Sequence, residues 1–370
     1  MRGKAKKQPT MLMVMSPGSM VPPSHPLRGI KKLADAALKD LDPVFAGMYA
    51  EAGRYSIPPE RLLKSLLVMV LYSIRSERQL CEQLQYNMLF RWFVDMDMTE
   101  PAFDASTFSK NRDRLIEHEV AVAFLGAVVE GAKASGLMSG EHFSVDGTLI
   151  TALASHKSIK PKDSGPDDPP GTGPTDSKGQ GDSNGWSSFK GETRSNETHA
   201  STTDPDSRIA RKSSGTGAEL SFAVNVLMDN RNGLIADVRT DIVTGAVERD
   251  AALEMLSKID GERRATVGAD KAYDTKRFVK VCRELGITPH VAQNIQPGRR
   301  GSAIDKRTTR HKGYNVSLIV RRQIEAIFAW LKAPGRMKRA RHRGIDRVGW
   351  FTEIAAAAFN LVKINNLARA

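Results

Sequence analysis

The sequence has few cysteines, and the two it has stand far apart. Cys81 and Cys282 are the only ones among 370 residues, and neither has a neighbour at metal-ligand spacing. This excludes a disulfide-stapled scaffold and a zinc finger. It is typical of a reducing compartment, so we expect a cytoplasmic protein.

Long apolar runs are also missing. The longest, residues 66–72, falls far short of the roughly 20 residues that span a bilayer. The apolar stretch Met11–Met15 is followed by prolines without a convincing cleavage site, so we do not interpret it as a signal peptide. We predict a protein without membrane contacts.

Acidic residues are a minority, and the basic excess is concentrated near the C-terminus. The net charge is +13, and residues 299–343 hold 14 Lys and Arg against only Asp305 and Glu325. Such a surface attracts polyanions, nucleic acid first and an anionic membrane second. The alternative is an ordinary solvated face, and the charge favours nucleic acid.

Hydrophobic periodicity divides the chain. Residues 1–28 are basic and Pro-rich and predict a flexible arm. Residues 29–140 show apolar positions at helical spacing, which predicts a helical domain. Residues 141–370 predict a catalytic domain. Within it, residues 155–215 contain only six hydrophobic residues among 61, which predicts a disordered polar insertion.

The helical domain is open to two interpretations. Ser76 followed by Gln79 resembles a capping box, and Asp104 or Ser106 suits the start of a further helix with basic residues. A helix-turn-helix in such a module could enter a DNA groove. A packing bundle without base contacts has the same pattern, and the sequence does not separate the two.

The pattern after residue 140 alternates between strands and helices. The predicted order is strand, hairpin, helix, strand, helix, strand and terminal helices. The predicted ranges are 143–149, 219–243, 248–259, 265–270, 275–285, 288–292, 316–331 and 347–367. This predicts an α/β fold with a mixed sheet flanked by helices and an all-α domain in front.

Three carboxylates stand out in this half. Asp146 and Asp270 fall at predicted strand ends, where oxygen ligands converge at one sheet edge. On the helix near the C-terminus, Arg321, Glu325 and Lys332 fall within a stripe roughly 40° wide. Three carboxylates can hold two metal ions about 4 Å apart, the arrangement that phosphoryl transfer uses. Flanking Arg and Lys can then bind the phosphate backbone.

The same residues resemble a known family. The segments Phe143–Thr148 and Ala269–Asp274, with Arg321-x3-Glu325-x6-Lys332, are similar to the three signatures of DDE transposases of insertion sequence family five, related to family four. The segment Ser195–Asp206 is also similar, and the resemblance covers essentially the whole chain after the arm.

The resemblance implies a ribonuclease-H-like catalytic domain that cuts and joins insertion-element ends. Asp146, Asp270 and Glu325 would be the catalytic residues and the ligands of two Mg²⁺ ions, which Mn²⁺ could replace. Arg321 and Lys332 would contact DNA. The partners would be double-stranded DNA with terminal inverted repeats and target DNA, bound by a homodimer at the nucleoid.

Several residues around this core are interpreted separately. A basic run follows the catalytic helix and predicts a phosphate track, formed by Arg336, Lys338, Arg339, Arg341 and Arg343. The family-four pattern has a Tyr where this chain has Leu318, and Tyr314 is a candidate substitute. For Asp204 and Asp206 a structural or DNA-facing role is favoured over catalysis, and for Trp330 and Trp350 a core role.

Two other functions share these features. A catalytically silent or domesticated DNA-binding repressor would keep the basic surface without cutting. A ribonuclease-H-type nuclease would cut without joining. The carboxylate triad argues against the first, and the long basic segment favours joining over the second, because two DNA substrates must be held.

Overall fold

The computed structural model describes residues 16–49, 56–162, 188–189, 192–212, 215–259, 264–295 and 301–369. The first half of this part of the chain is helical. Its helices are α1 Pro17–Met20, α2 Pro26–Lys39, α3 Asp42–Met48, α4 Pro59–Leu71, α5 Glu77–Tyr86, α6 Met88–Phe93, α7 Ala105–Glu117 and α8 Val120–Ala134. Ser76 caps α5 and Asp104 caps α7, as their sequence positions predict.

The second half is built on a six-stranded mixed sheet. Its strands are β1 His142–Thr151, β6 Arg208–Ala210, β7 Glu219–Asp229, β8 Leu234–Ile242, β9 Thr266–Ala269 and β10 Thr288–Val291. Short strands lie outside it: β2 Ile159–Pro161 pairs with β5 His199–Ser201, and β3 Ser188–Phe189 pairs with β4 Glu192–Thr193.

The strand order defines the fold. β10, β9 and β1 are parallel neighbours, and β1 then pairs antiparallel with β7. The other edge of β7 pairs with β6 at its beginning and with β8 further along. This order is the ribonuclease-H-like sheet that the resemblance implies, and the predicted α/β class is confirmed.

Helices cover both faces of the sheet. They are α9 Val247–Ser257, α10 Lys276–Glu284, α11 Lys306–Thr309, α12 Lys312–Val320, α13 Ile324–Lys332 and α14 Ile345–Leu367. Helices α9 and α10 share an apolar core with β9 and β10. Helices α13 and α14 pack into the larger core on the other face, which also contains the N-terminal helices.

Helix α14 joins the helical half to the sheet. It contacts β8 on one side and α2, α4 and α8 on the other. Residues 355–358 are four fully buried alanines, whose small side chains allow close approach of neighbouring elements on all sides. The boundary at residue 140 therefore separates secondary-structure types, while the apolar core runs across it.

The predicted arm and insertion both need correction. Residues 16–28, assigned to the arm, contain α1 and the start of α2, where Leu27 is buried in the core. Parts of the segment 155–215 are ordered, because β6 joins the main sheet. The rest of these two predictions, residues 1–15 and most of 163–191, falls outside the described residues. In the part of the chain that the structure covers, no helix has the length and apolar character needed to cross a membrane.

The segment 155–215 also caps the first turn of α14. An Asp204 carboxylate oxygen accepts the Gly344 N–H at 3.2 Å, and Asp206 accepts the Ile345 N–H at 3.0 Å. The first N–H groups of a helix have no partner within the helix, so these carboxylates satisfy them. The favoured structural role of Asp204 and Asp206 agrees with this contact.

This capping predicts a stability difference. Asp206→Ala removes the acceptor for Ile345 and should lower the free energy of unfolding by about 1 kcal/mol. Asp206→Asn is the matched control, since its amide oxygen still accepts an N–H. The midpoint of thermal unfolding measures both; an alanine variant as stable as the asparagine variant would contradict the capping role.

Candidate active site

The pairing of β1 with β9 brings Asp146 and Asp270 together. In this parallel pair Ser144 lies opposite Gly268, where the pairing ends. Two residues further along each chain are Asp146 and Asp270. Paired positions in parallel strands direct their side chains to the same face, so both carboxylates lie at one edge of the sheet.

Asp146 is not at a strand end, which corrects the prediction from sequence. Strand β1 continues to Thr151, and Asp146 lies opposite Val226 in the middle of the antiparallel ladder with β7. What ends near Asp146 is the neighbouring strand. Asp270 does follow directly after β9, and its carboxylate accepts the Ala272 N–H at 2.8 Å.

Asp146 has two acidic neighbours and one ion-pair partner. Burial raises the pKa of Asp146 to about 6, with further contributions from the charges of Asp270 and Glu248. The Gly147 N–H and the Arg321 guanidinium oppose this rise, the latter at 3.4 Å from an Asp146 oxygen. A partly buried carboxylate with acidic neighbours is a site that favours a bound cation.

Helix α13 lies along β1 on the Asp146 face. Arg321 contacts Asp146 at one end, and at the other end Lys332 Nζ donates to Thr148 Oγ1 at 2.5 Å. Thr148 lies two residues after Asp146 and therefore on the same sheet face. The two cations of the predicted row thus contact β1, while Glu325 between them is exposed. The predicted continuous helix 316–331 is instead α12 and α13 joined by a 3₁₀ turn at Arg321–Gln323.

Glu325 lies between these two contacts but is not engaged. It is one helical turn after Arg321, and its side chain is exposed. As the side chains stand, no three His, Cys, Asp or Glu of the described residues are close enough together to hold one metal ion. The structure brings Asp146 and Asp270 together and places Glu325 on the adjoining helix, short of contact.

Glu248 is an acidic neighbour that the sequence analysis missed. It lies in the first turn of α9, where an acidic residue ordinarily favours the helix dipole. A Cβ at Gly147 would lie 2.8 Å from Glu248 Cγ and 2.7 Å from Asn225 Oδ1. The signal that could have found Glu248 is therefore the glycine next to Asp146, which leaves room for it.

Four of the five residues of the predicted phosphate track divide into two groups. Lys338, Arg339 and Arg343 are exposed, and a short parallel bridge between Thr151 and Arg339 attaches this run to the end of β1. Arg341 turns inward instead. Its guanidinium donates to the Ile74 carbonyl at 2.8 Å and covers the Phe351 ring, and burial lowers its pKa to about 10.

Arg336 belongs to neither group, since it is exposed and its guanidinium lies 3.4 Å from the Ser73 carbonyl oxygen. Tyr314 is buried and donates to the Val291 carbonyl at 2.9 Å. The candidate tyrosine contact with DNA is therefore wrong for Tyr314.

Trp350 is buried and Trp330 packs edge-on against Phe359, as the favoured core role predicts.

Two family models of transposase domains match the chain. The family model described as "Transposase domain (DUF772)" matches residues 16–114, and the model described as "Transposase DDE domain" matches residues 188–361. Together they span most of the chain. A search of curated proteins found no match.

Two solved structures have low similarity to the chain. The piggyBac transposase synaptic complex with hairpin DNA is 10% identical, with a TM-score of 0.40, over 93% of this chain and 76% of that one. The Mos1 strand transfer complex is 10% identical, with a TM-score of 0.20, over 84% of this chain and 79% of that one.

The contact at Gly147 predicts a destabilising substitution. Gly147→Ala places a methyl group against Asn225 and Glu248 and should cost about 1–3 kcal/mol of the free energy of unfolding. Gly131→Ala in α8 is the control. Nothing lies within 4 Å of that position, and replacing a helical glycine should stabilise by about 0.5–1 kcal/mol. Equal melting temperatures for the two variants would contradict the close approach.

Proposed function

We propose that this chain is a DDE transposase, the family of the model that matches residues 188–361, and that Asp146, Asp270 and Glu325 form the centre that cuts and joins DNA. One observation carries the proposal. The register of β1 and β9 sets Asp146 beside Asp270, and the contacts of Arg321 and Lys332 hold the Glu325 stripe along the same strand.

The residues fit two hard divalent cations, with Mg²⁺ preferred and Mn²⁺ able to replace it. All the proposed ligand atoms are carboxylate oxygens, which Mg²⁺ prefers. Burial and the charges of Asp270 and Glu248 raise the pKa of Asp146 although Arg321 lies 3.4 Å away, and a divalent cation would offset both effects. Bound cations would supply activation of the attacking oxygen and stabilisation of the leaving oxygen in an in-line displacement. Glu325 joins the two aspartates by rotation of its exposed side chain.

The reaction has two steps at the same residues. Water attacks the phosphorus of a phosphodiester at the element end and breaks its P–O3′ bond, which leaves a 5′-phosphate and a free 3′-hydroxyl. That hydroxyl then attacks a phosphodiester of target DNA, forming a new P–O3′ bond and releasing the 3′-hydroxyl of the target strand. Arg321 and Lys332 orient the phosphate beside Glu325, exchanging their contacts with Asp146 and Thr148 for phosphate oxygens. Charge-assisted contacts of this kind fix the register of DNA without reading its sequence.

The DNA path continues along the exposed basic residues. Lys338, Arg339 and Arg343 follow α13 directly and are attached to β1 through the bridge at Thr151. We place the phosphate backbone there, with Arg336 at its edge. Arg341 supports the track from below, since its guanidinium is used by Ile74 and Phe351.

The finer assignment rests on the motifs. With the two aspartate segments, the spacing Arg321-x3-Glu325-x6-Lys332 resembles that of insertion sequence family five. From this resemblance we infer terminal inverted repeats as the DNA ends and a homodimer that pairs two ends at the nucleoid. Short inverted repeats in the sequence flanking the gene would support this assignment.

The triad predicts the loss of chemistry without the loss of binding. Asp146→Asn, Asp270→Asn and Glu325→Gln should each reduce strand cleavage at least about a thousandfold, because several kcal/mol of transition-state stabilisation are removed. The assay is Mg²⁺-dependent cleavage of a plasmid carrying the gene with its genomic flanks, with DNA binding measured in parallel.

Asp250→Asn is the control for these variants. Asp250 is on α9 and pairs with Arg277 on the surface, so cleavage should match the wild type. Retained cleavage in a triad variant would remove that residue from the centre. Cleavage by the wild type without transfer of the 3′ end to a second duplex would favour the nuclease.

The basic track predicts a change in salt dependence. Replacing Lys338, Arg339 or Arg343 by Ala should each reduce the slope of log affinity against log salt concentration by about 1, because one phosphate contact is lost. Arg341→Ala should instead lower the melting temperature. Fluorescence anisotropy with duplex DNA measures the slopes, with Lys280→Ala on α10 as the control; unchanged slopes in all three would move the DNA path elsewhere.

A further inference from the structure

The side chain of Glu248 is held against the residue next to Asp146. Its Cγ and Cδ lie 2.8 and 3.0 Å from the position that a Gly147 Cβ would take. No other residue type fits at position 147 without moving Glu248 or Asn225. The glycine at position 147, which has no side chain, therefore leaves space for the Glu248 carboxylate next to Asp146.

Glu248 reaches β1 from the face opposite to Glu325. Asp146 lies opposite Val226 and Gly147 lies opposite Asn225, so the positions 146 and 147 direct side chains to opposite faces. Strand β9 stops pairing at Ser144, which leaves the next part of this edge of β1 uncovered by a strand. Carboxylates from both faces can meet at that open edge.

Two buried polar atoms there have no hydrogen-bond partner. Asn225 is fully buried, and its Oδ1 has no hydrogen-bond partner. A Cβ at Gly147 would lie 2.7 Å from this oxygen and 3.0 Å from the Glu248 carboxyl carbon, so both atoms approach the same position. The hydroxyl of Tyr273 is also buried without a partner, and Tyr273 is only 1% exposed. Buried polar groups are ordinarily satisfied, so the unpartnered Asn225 oxygen beside the Glu248 carboxylate leaves a place for a donor or a cation.

The charged neighbours of Glu248 show which groups lie around it. Burial raises the pKa of Glu248, the charge of Asp270 raises it further, and only Arg249 opposes this. Burial also raises the pKa of Tyr273 well above its ordinary value, with contributions from Glu248, Asp146 and Asp270. The Tyr273 hydroxyl is therefore near all three carboxylates, and none of them accepts a hydrogen bond from it.

We propose that Glu248 is a fourth carboxylate of the catalytic centre and that Asp146, Asp270 and Glu248 hold the first divalent cation before DNA binds. This rests on the proposed function of the two aspartates. The three carboxylates repel one another as they stand and draw together around the cation. Glu325, exposed on α13, joins the centre when DNA displaces Arg321 and Lys332 from β1.

The test is Mn²⁺ binding to the full-length protein without DNA, measured by isothermal titration calorimetry. Glu248→Gln should weaken binding at least about tenfold, because the loss of even an outer-shell partner of a metal ligand typically costs that much. Asp146→Asn should abolish binding, while Glu325→Gln should bind like the wild type. Glu254→Gln is the matched control, since Glu254 is on the same helix but pairs with Arg239 on the surface.

Each outcome bears on a different claim. Wild-type affinity in Glu248→Gln with loss in Asp146→Asn would overturn the role of Glu248 and leave the proposed function standing. Wild-type affinity in Asp146→Asn would overturn both. Equal weakening in Glu325→Gln and Glu248→Gln would overturn the order of assembly.

The glutamine variant should fold, because it removes a carboxylate that burial and Asp270 disfavour. In EDTA its melting temperature should be no lower than that of the wild type. If it does not fold, Glu248→Asp provides the second measurement, with an affinity expected between those of the wild type and Asp146→Asn. An affinity equal to the wild type would count against ligation, because the shortened side chain cannot reach the same position.

Discussion

The active site depends on where one strand pairing ends. Strands β1 and β9 run parallel only as far as Ser144 and Gly268, and Asp146 and Asp270 follow in the same register. Gly268 allows this pairing to lie close beneath α12, since a Cβ there would be 3.2 Å from both Ser144 Oγ and the Ser317 carbonyl. A longer β9 would cover the edge of β1, whereas its short length leaves both carboxylates accessible.

The helices around that edge are held by a core that the two halves of the chain share. Helix α14 packs against the sheet and the N-terminal helices, and the insertion caps its first turn through Asp204 and Asp206. The basic track lies between α13 and α14 and contacts the helical half through Arg341 and Ile74. The position of the track relative to Asp146 is therefore set by buried contacts across the whole chain.

The order of the elements could be predicted because hydrophobic periodicity is a local property. The change at His142, the hairpin and the strand before Asp270 all follow from it. Contacts between distant segments could not be predicted. The pattern around Asp146 does not show where the pairing of β1 with β9 ends. In the sequence Arg341 is one of several basic residues, and only the fold shows that its guanidinium packs on the Phe351 ring. Glu248 resembles an ordinary first-turn residue, and the insertion's capping of α14 joins residues about 140 positions apart.

The central claim is that Asp146, Asp270 and Glu325 meet around shared metal ions. A structure of the full-length protein with Mn²⁺ and its element-end DNA, with the ions located by anomalous scattering, tests it most directly. We expect ions bound to oxygens of all three residues at about 2.0–2.6 Å. Ions bound away from Asp146 and Asp270, or Glu325 still turned to solvent with the DNA in place, would contradict it.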